Sequence, residues 1–371
     1  MFQRARQLSI AASLFRSPSA TLFLQIPSSL RNYSFKVFRD VPPLRALRRE
    51  LLLSKRTVGF VPTMGALHDG HISLIRQAAS ENTDVVVSIF VNPTQFGVNE
   101  DLSSYPRTWD DDVSKLEQLN TELTSGTLGQ GQGRITAILA PTPQTMYPTL
   151  PPSSEVDGDG SFVTITPLSR KLEGASRPVF FRGVATVCMK LFNIVGADRV
   201  YFGQKDVQQT VVIKRMVKDF HLDTDVRIGP TMRENDGLAM SSRNVYLGVR
   251  RRAVGLALYH ALTAAETAYR SGKLSRGEIL EAAASVTQQV LATQQALAPS
   301  ERALFEVDYM SLAEPDTLDE VDAVDPKRGA ILSGAIKMAP LEQAKSGENC
   351  GLGDGKVPVR LIDNLILKPA E

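Results

Sequence analysis

From residue 55 onward, short β-branched runs alternate with stretches in which apolar residues recur every three or four positions, a pattern that predicts a parallel sheet wound with helices. Val58-Gly59-Phe60-Val61 reads as a first strand, and Ile72, Ile75 and Ala79 place a helix over 72–80. Residues 84–91 are nearly all apolar, as expected of a central strand covered on both faces. The same reading predicts helices over 109–119, 182–195 and 207–220, and strands over 135–139, 162–166, 199–202 and 224–228. Two stretches interrupt the alternation: 121–134, rich in Gly, Ser, Thr and Gln, and 149–161, rich in Pro, Gly, Ser and Asp. Both read as surface loops.

After Asn244 the texture changes. Long amphipathic helices are predicted over 249–271 and 274–295, then strands over 303–312, 330–338 and 357–367, with a Gly- and Lys-rich hairpin insertion at 343–356. The expected fold class is α/β, a Rossmann-like doubly wound parallel sheet over 40–235 followed by a smaller α+β C-terminal domain over 236–371. A chain of 371 residues is long enough for two such cores.

Composition alters this picture at one end only. With 43% hydrophobic and 22% charged residues the chain matches a globular protein, and no apolar run is long enough to span a bilayer. Residues 1–39 hold five arginines, one lysine, seven serines and no acid, the composition of a mitochondrial transit peptide; a basic tail on a cytoplasmic protein is the alternative. Without them 36 basic residues face 40 acidic ones, so the body carries a net charge near −4 and does not look like a nucleic-acid binder. The two cysteines, Cys188 and Cys350, have no partner at metal-ligand spacing, and Cys188 falls in an apolar-periodic run that predicts a buried thiol.

The stretch richest in chemistry joins the first strand to the first helix: Pro62-Thr63-Met64-Gly65-Ala66-Leu67-His68-Asp69-Gly70-His71. A strand that enters a helix through a glycine turn aims backbone N–H groups and the positive end of the helix dipole at one spot, which suits a phosphate. Two imidazoles there can add donors or move a proton. Four more segments follow in order: 88–96 (SIFVNPTQF), 101–112 (DLSSYPRTWDDD), 202–209 (FGQKDVQQ) and 236–244 (DGLAMSSRN). Together, from about Val58 to Tyr246, they resemble the pantoate–β-alanine ligase (pantothenate synthetase) family of the HxGH nucleotidyltransferase superfamily.

That resemblance implies a ligase that activates pantoate as an adenylate with ATP and passes it to β-alanine. On this chain it implies ATP contacts from Met64, Gly65, Ala66, Leu67, His68, Asp69, Gly70 and His71, from Gly203, Gln204, Lys205 and Asp206, from Met232 beside the adenine, and from Met240, Ser241, Ser242 and Arg243 around the phosphates. His71, His68 and Lys205 would be catalytic. Gln95 and Gln209 would hold pantoate, with Gln95 also bordering the β-alanine path and Asn92 in the same pocket. Glu173 and Arg177 match a loop beside the site, where a structural ion pair explains them equally well. Asp110, Asp111 and Asp112 could suggest a magnesium cluster, but helix N-terminal carboxylates facing the dipole are the plainer reading. No protein metal site is expected, Mg2+ being held mainly by ATP. A homodimer is implied by the family, with neither nucleic acid nor membrane as partner. The chain departs from the family at Phe180, where bacterial relatives often have His, and at Gln204, where they have Glu. Competing readings are another HxGH adenylyltransferase, a tRNA-charging enzyme, or a degenerate fold kept as a scaffold.

Overall fold

The computed structural model describes residues 33–97, 102–126, 131–149, 153, 155, 156 and 158–369. The expected leader therefore lies outside the described residues up to position 32, as do 127–130, 150–152, 154 and 157 within the two predicted loops.

Six parallel strands form the main sheet: β1 (Lys36–Phe38), β2 (Val58–Thr63), β3 (Asp84–Ile89), β4 (Arg134–Leu139), β5 (Arg199–Gly203) and β6 (Asp225–Gly229). Their spatial order is β1-β4-β3-β2-β5-β6. Helices α1 (Val41–Leu53), α2 (Asp69–Glu81), α3 (Trp109–Thr124), the short α4 (Pro143–Met146) and α5 (Glu173–Ser176), α6 (Phe180–Val195) and α7 (Val207–Asp219) complete this half. Helices α2 and α3 touch each other on one side, and α1, α6 and α7 form a second group whose apolar faces share a core with Phe60, Val86 and Val200. Strand β2 is followed by β3 on one side and flanked by β5 on the other, so the sheet changes winding direction between β2 and β5. The crevice that opens there, beyond the carboxyl ends of the strands, is where ligands bind in open α/β sheets.

The second half is a three-stranded antiparallel sheet, β7 (Phe305–Ala313), β8 (Ala330–Met338) and β9 (Val359–Leu367), under helices α8 (Gly248–Gly255), α9 (Ala257–Arg270) and α10 (Arg276–Gln295), with its own core of Leu258, Leu262, Ile279, Leu332 and Ile336. The fold class read from the sequence is the one observed.

Three element readings are corrected and two elements added. The segment 162–166 is not a strand: the Val163 N–H bonds the Thr186 hydroxyl at 2.9 Å, and its alternation reflects Ile165 packing into the core from an irregular chain. The helix expected over 249–271 is two helices meeting at Leu256, beside Gly255, where a Cβ would stand 2.8 Å from Leu361 Cδ1. The loop expected from 121 begins later, because α3 continues to Thr124. Strand β1 and helix α1 were not foreseen; α1 starts on Pro42 and Pro43, tolerated in a first turn whose N–H groups have no intrahelical partner.

Strand β1 also bears on the leader. Lys36, Val37 and Phe38 pair in register with Ala137, Ile138 and Leu139, and Phe35 is buried, so the segment expected to end at 39 overlaps the sheet. A chain beginning at Ser34 should melt like the full-length protein. One beginning at Asp40 should lose about 1.5–3 kcal/mol from Phe35 alone and leave the edge of β4 open. Equal melting temperatures would show that β1 adds nothing.

Candidate active site

The turn after β2 is built under strain. Gly65 and Ala66 both take left-handed backbone angles, φ +84° and +50°, and the second carries a side chain, a conformation costing on the order of 1 kcal/mol. Three side chains hold it. Thr63 Oγ1 donates to the Ser88 carbonyl at 2.6 Å and accepts the Gly65 N–H at 3.2 Å. Asp112, fully buried in the first turn of α3, accepts the Ala66 N–H at 2.9 Å and the Leu67 N–H at 2.7 Å, one on each oxygen, while Lys115 donates to the Leu67 carbonyl at 2.6 Å.

So held, the turn delivers His68 as the N-cap of α2. Its Nδ1 accepts the Gly70 N–H at 3.2 Å, and His71 Nδ1 accepts the His68 N–H at 3.3 Å, with ring centroids 4.1 Å apart. Burial lowers His68 to about 4, helped by Lys205, and lowers His71 to about 3, helped by His68, Lys115 and Lys205. Both rings are neutral near pH 7, and because each Nδ1 accepts, each proton resides on Nε2. The pair thus offers two N–H donors beside the positive end of α2, an arrangement for phosphate oxygens.

Lys205 follows β5, with Nζ 3.6 Å from Asp206 Oδ1. Across the crevice the chain folds back on itself, the Met240 N–H bonding the Met232 carbonyl at 2.9 Å, with Met232 37% exposed at the rim. Arg252 braces this turn by pairing with Glu234 and Asp236. Ser241 Oγ accepts the Arg243 N–H at 3.2 Å, and Ser242 Oγ donates to the Ala66 carbonyl at 3.2 Å, so the serine loop touches the histidine turn directly.

Deeper in, Gln95 is buried and its orientation is fixed. Its Oε1 accepts from Asn92 Nδ2 at 3.0 Å and its Nε2 points at Met64 Sδ at 3.1 Å. Asn92 is itself fully engaged, accepting from Tyr147 OH at 2.6 Å and Thr94 Oγ1 at 3.1 Å and donating to the Gly183 carbonyl at 3.2 Å. Gln95 therefore turns N–H donors toward the cavity, and Asn92 acts through it. A Cβ at Gly183 would stand 2.3 Å from the Thr94 carbonyl, so only glycine lets α6 approach this loop. The two neighbouring glutamines of α7 divide: Gln208 is buried and bonds Glu173 N–H and the Leu168 and Lys171 carbonyls, whereas Gln209 faces the cavity.

Of the residues expected from the sequence, Met64, His68, Gly70, His71, Gln95, Gly203, Lys205, Asp206, Gln209, Met232, Met240, Ser241, Ser242 and Arg243 line one cavity of about 230 Å³. Gly65, Ala66, Leu67, Asp69 and Gln204 do not. The N–H groups of Ala66 and Leu67 are consumed by Asp112, Asp69 is exposed, and Gln204 turns away to Asn364 of β9 at 3.3 Å. Asp112 is a clamp on the turn and not a metal ligand; among the described residues no group of three or more His, Cys, Asp or Glu could hold a metal ion. The Cys188 thiol lines the cavity floor and is pushed up to about 12 by burial, which leaves it inert.

Sequence reasoning missed the roles of Asp112, Lys115, Tyr147 and Asn364. A signal for the first was present: Asp112, Leu116 and Leu119 fall on the same face of α3, so the acid shares the buried side of its helix.

Residues 36–366 match the family profile described as pantoate–β-alanine ligase. The pantoate–β-alanine ligase of Saccharomyces cerevisiae is 40% identical over 90% of this chain and 100% of its own length, and the pantothenate synthetase of Herpetosiphon aurantiacus is 41% identical over 90% and 100%. The crystal structure of pantothenate synthetase from Thermus thermophilus superposes with a TM-score of 0.69 at 35% identity, covering 90% of this chain and 100% of that one. The Francisella tularensis pantoate–β-alanine ligase, crystallised with a β,γ ATP compound and β-alanine, gives 0.62 at 28% identity over 90% and 98%.

Replacing Asp112 by Asn removes one of the two acceptors that hold the turn and sets an amide N–H against a backbone N–H. The Asp112→Asn variant should lose about 1–3 kcal/mol of stability and bind ATP on the order of tenfold more weakly. Calorimetry giving wild-type ATP affinity would separate the turn from the nucleotide.

Proposed function

We infer that this chain, which belongs to the pantoate–β-alanine ligase family, joins pantoate to β-alanine with ATP, through pantoyl adenylate, releasing AMP and pyrophosphate. The observation that carries the reading is the convergence of the histidine turn, Lys205 and the serine loop on one cavity whose floor holds Gln95 and Gln209.

A carboxylate is a poor electrophile, so the acid must first be activated. Held by Gln95 N–H and the Gln209 amide, the pantoate carboxylate attacks the α-phosphorus of ATP; the new O–P bond forms as the bond to pyrophosphate breaks. Lys205 follows the negative charge that grows on the α-phosphate, and the Nε2–H groups of His68 and His71 with the hydroxyls and guanidinium at 241–243 follow the leaving phosphates. With its proton on Nε2 and a low pKa, His71 acts as a hydrogen-bond donor; the bound polyanion favours its protonation beyond what the free protein allows. Magnesium would enter with ATP and would help to neutralise the phosphate charge. In the second step the free amine of β-alanine attacks the acyl carbon, a C–N bond forms, the C–O bond to AMP breaks, and the proton shed by the nitrogen passes to solvent. The two amides of Gln95 and Gln209 in a small cavity, and the acidic body, favour a small hydroxy acid over tRNA charging. Membership of the family implies a homodimer, which a monomer mass in sedimentation would overturn.

Pyrophosphate should exchange into ATP when pantoate is present and β-alanine absent. Lys205→Ala and His71→Ala should slow that exchange about a hundredfold or more, the scale for losing one transition-state donor. Gln209→Ala should weaken pantoate by about 1–3 kcal/mol while sparing ATP. Exchange that required β-alanine, or ran without pantoate, would overturn the stepwise route.

The acid-free Arg- and Ser-rich segment ahead of β1 supports a mitochondrial address. Residues 1–33 fused to a fluorescent reporter should carry it into mitochondria, and replacing Arg4, Arg6 and Arg16 by Glu should leave it in the cytosol. A cytosolic reporter from the unaltered segment would place the enzyme in the cytoplasm.

A further inference from the structure

Strand β9 pairs with β8 alone among the described strands, so its other edge is free to meet the main half, and it does so at Asp363 and Asn364. Both side chains are buried, at 5% and 1% exposure. Buried polar groups need partners, and the places where these partners lie show what the pair holds.

Asn364 Nδ2 donates to the Gln204 carbonyl at 2.9 Å and to the Lys205 carbonyl at 2.8 Å, while its Oδ1 accepts from Gln204 Nε2 at 3.3 Å. Backbone carbonyls only accept, so the amide can face them one way only, and both of its hydrogens are used. It has no donor left for a ligand. What it holds is the backbone of Lys205, whose side chain lines the first cavity. Gln204–Asp206 is a single 3₁₀ turn between β5 and α7, too short to fix itself. A displacement of about 1 Å in a group that acts on a transition state can cost on the order of a hundredfold in rate, so an outside anchor at this turn matters.

Asp363 holds a different segment. Its two oxygens take the Arg233 guanidinium in a fork, Oδ2 with Nη1 at 2.6 Å and Oδ1 with Nη2 at 2.9 Å, a pairing that fixes orientation as well as distance. Arg233 also donates to the Gly237 carbonyl at 3.0 Å and lies 4.4 Å over the Tyr259 ring. It thereby pins the turn whose Met232 and Met240 are bonded to each other and line the first cavity. The Asn364 N–H donates to Asp363 Oδ1 at 2.8 Å, so the two anchors are tied together. Neither Asp363 nor Asn364 is among the described residues that line that cavity.

Resting on the ligase reading above, we propose that Asp363 and Asn364 are positioning residues of the adenylation step: Asn364 sets where Lys205 stands, and Asp363, through Arg233, sets the rim formed by Met232 and Met240. The chemistry is thereby confined to the state in which β9 is seated, because an unseated β9 leaves the Lys205 turn without its anchor.

In full-length protein, Asn364→Ala should lower kcat for pantoate-dependent exchange of pyrophosphate into ATP about tenfold or more, with the KM values for ATP and pantoate within about threefold of wild type, because Lys205 acts on charge that appears in the transition state. In a Lys205→Ala background the same change should cost less than about twofold, since a residue that acts through Lys205 has nothing left to position. Asp363→Asn should show the opposite split, an ATP KM raised about tenfold with kcat within about threefold, and Arg233→Ala should match it. If Asn364→Ala melts below the assay temperature, the isosteric Asn364→Asp, which sets a carboxylate against two carbonyls, decides in its place. An unchanged kcat, or a loss that adds in full to that of Lys205→Ala, would overturn the role of Asn364, and an unchanged ATP KM in Asp363→Asn that of Asp363. Absence of pantoate-dependent exchange in the wild-type protein would instead overturn the ligase reading itself.

Discussion

The site depends on two backbone N–H groups and one carboxylate. Gly65 and Ala66 turn the chain through left-handed angles to bring a strand end onto a helix start within five residues, and without an outside anchor that turn would relax. Asp112 supplies the anchor with both oxygens, and Lys115 fixes the carbonyl on the far side. One face of α3 thus holds the shape from which both histidines project. Since Ser242 bonds the Ala66 carbonyl, the position of the serine loop follows from the same anchor.

Electrostatics sharpen what the geometry begins. The helix dipole of α2, Lys115 and Lys205 make the crevice positive, which attracts phosphate; burial depresses the histidines, and the charges of Lys205 and Lys115 depress them further. A crevice of charged imidazoles would hold a triphosphate more tightly but release pyrophosphate less readily. Neutral rings locked as Nε2–H donors give direction without adding full charges, and Lys205 brings a formal positive charge to the same cavity.

Legibility in the sequence followed locality. The histidine turn could be read from its own neighbours, and Lys205, Gln95, Gln209 and residues 240–243, which line the same cavity, from the resemblance of the short segments that carry them. The roles of Asp112, Asn92 and Tyr147 could not, because they arise where α3 meets the turn and where α4 meets the loop after β3. Strands β2, β3 and β5 were legible from continuous apolar runs that both faces of a parallel sheet demand. The segment 162–166 has the same texture for a different reason: its apolar residues pack against α6 while its backbone is satisfied by a side chain. Strand β1 escaped because three residues carry no period, and α1 because prolines and arginines mask its apolar face of Leu44, Leu47 and Leu51.

The seam between the two halves is graded. Away from the cavities, Leu318 and Ile331 of the C-terminal half are buried in the core of the main sheet, and Lys171 reaches the Thr317 carbonyl at 2.6 Å, an anchorage of apolar area that water cannot replace. Around the cavities the contacts are polar: Ser242 to Ala66, Asn364 to the Gln204 and Lys205 carbonyls at 2.9 and 2.8 Å, Arg360 to Glu173. Each such hydrogen bond is worth only about 0.5–1.5 kcal/mol net, because water takes its place when it opens. A seam built this way yields first at the cavity side and last at its root, and opening there leaves both cores intact. Closure then depends on whatever bridges the seam, and on the proposed function a triphosphate in the cavity lined by the histidine turn of one half and the serine loop of the other would be such a bridge.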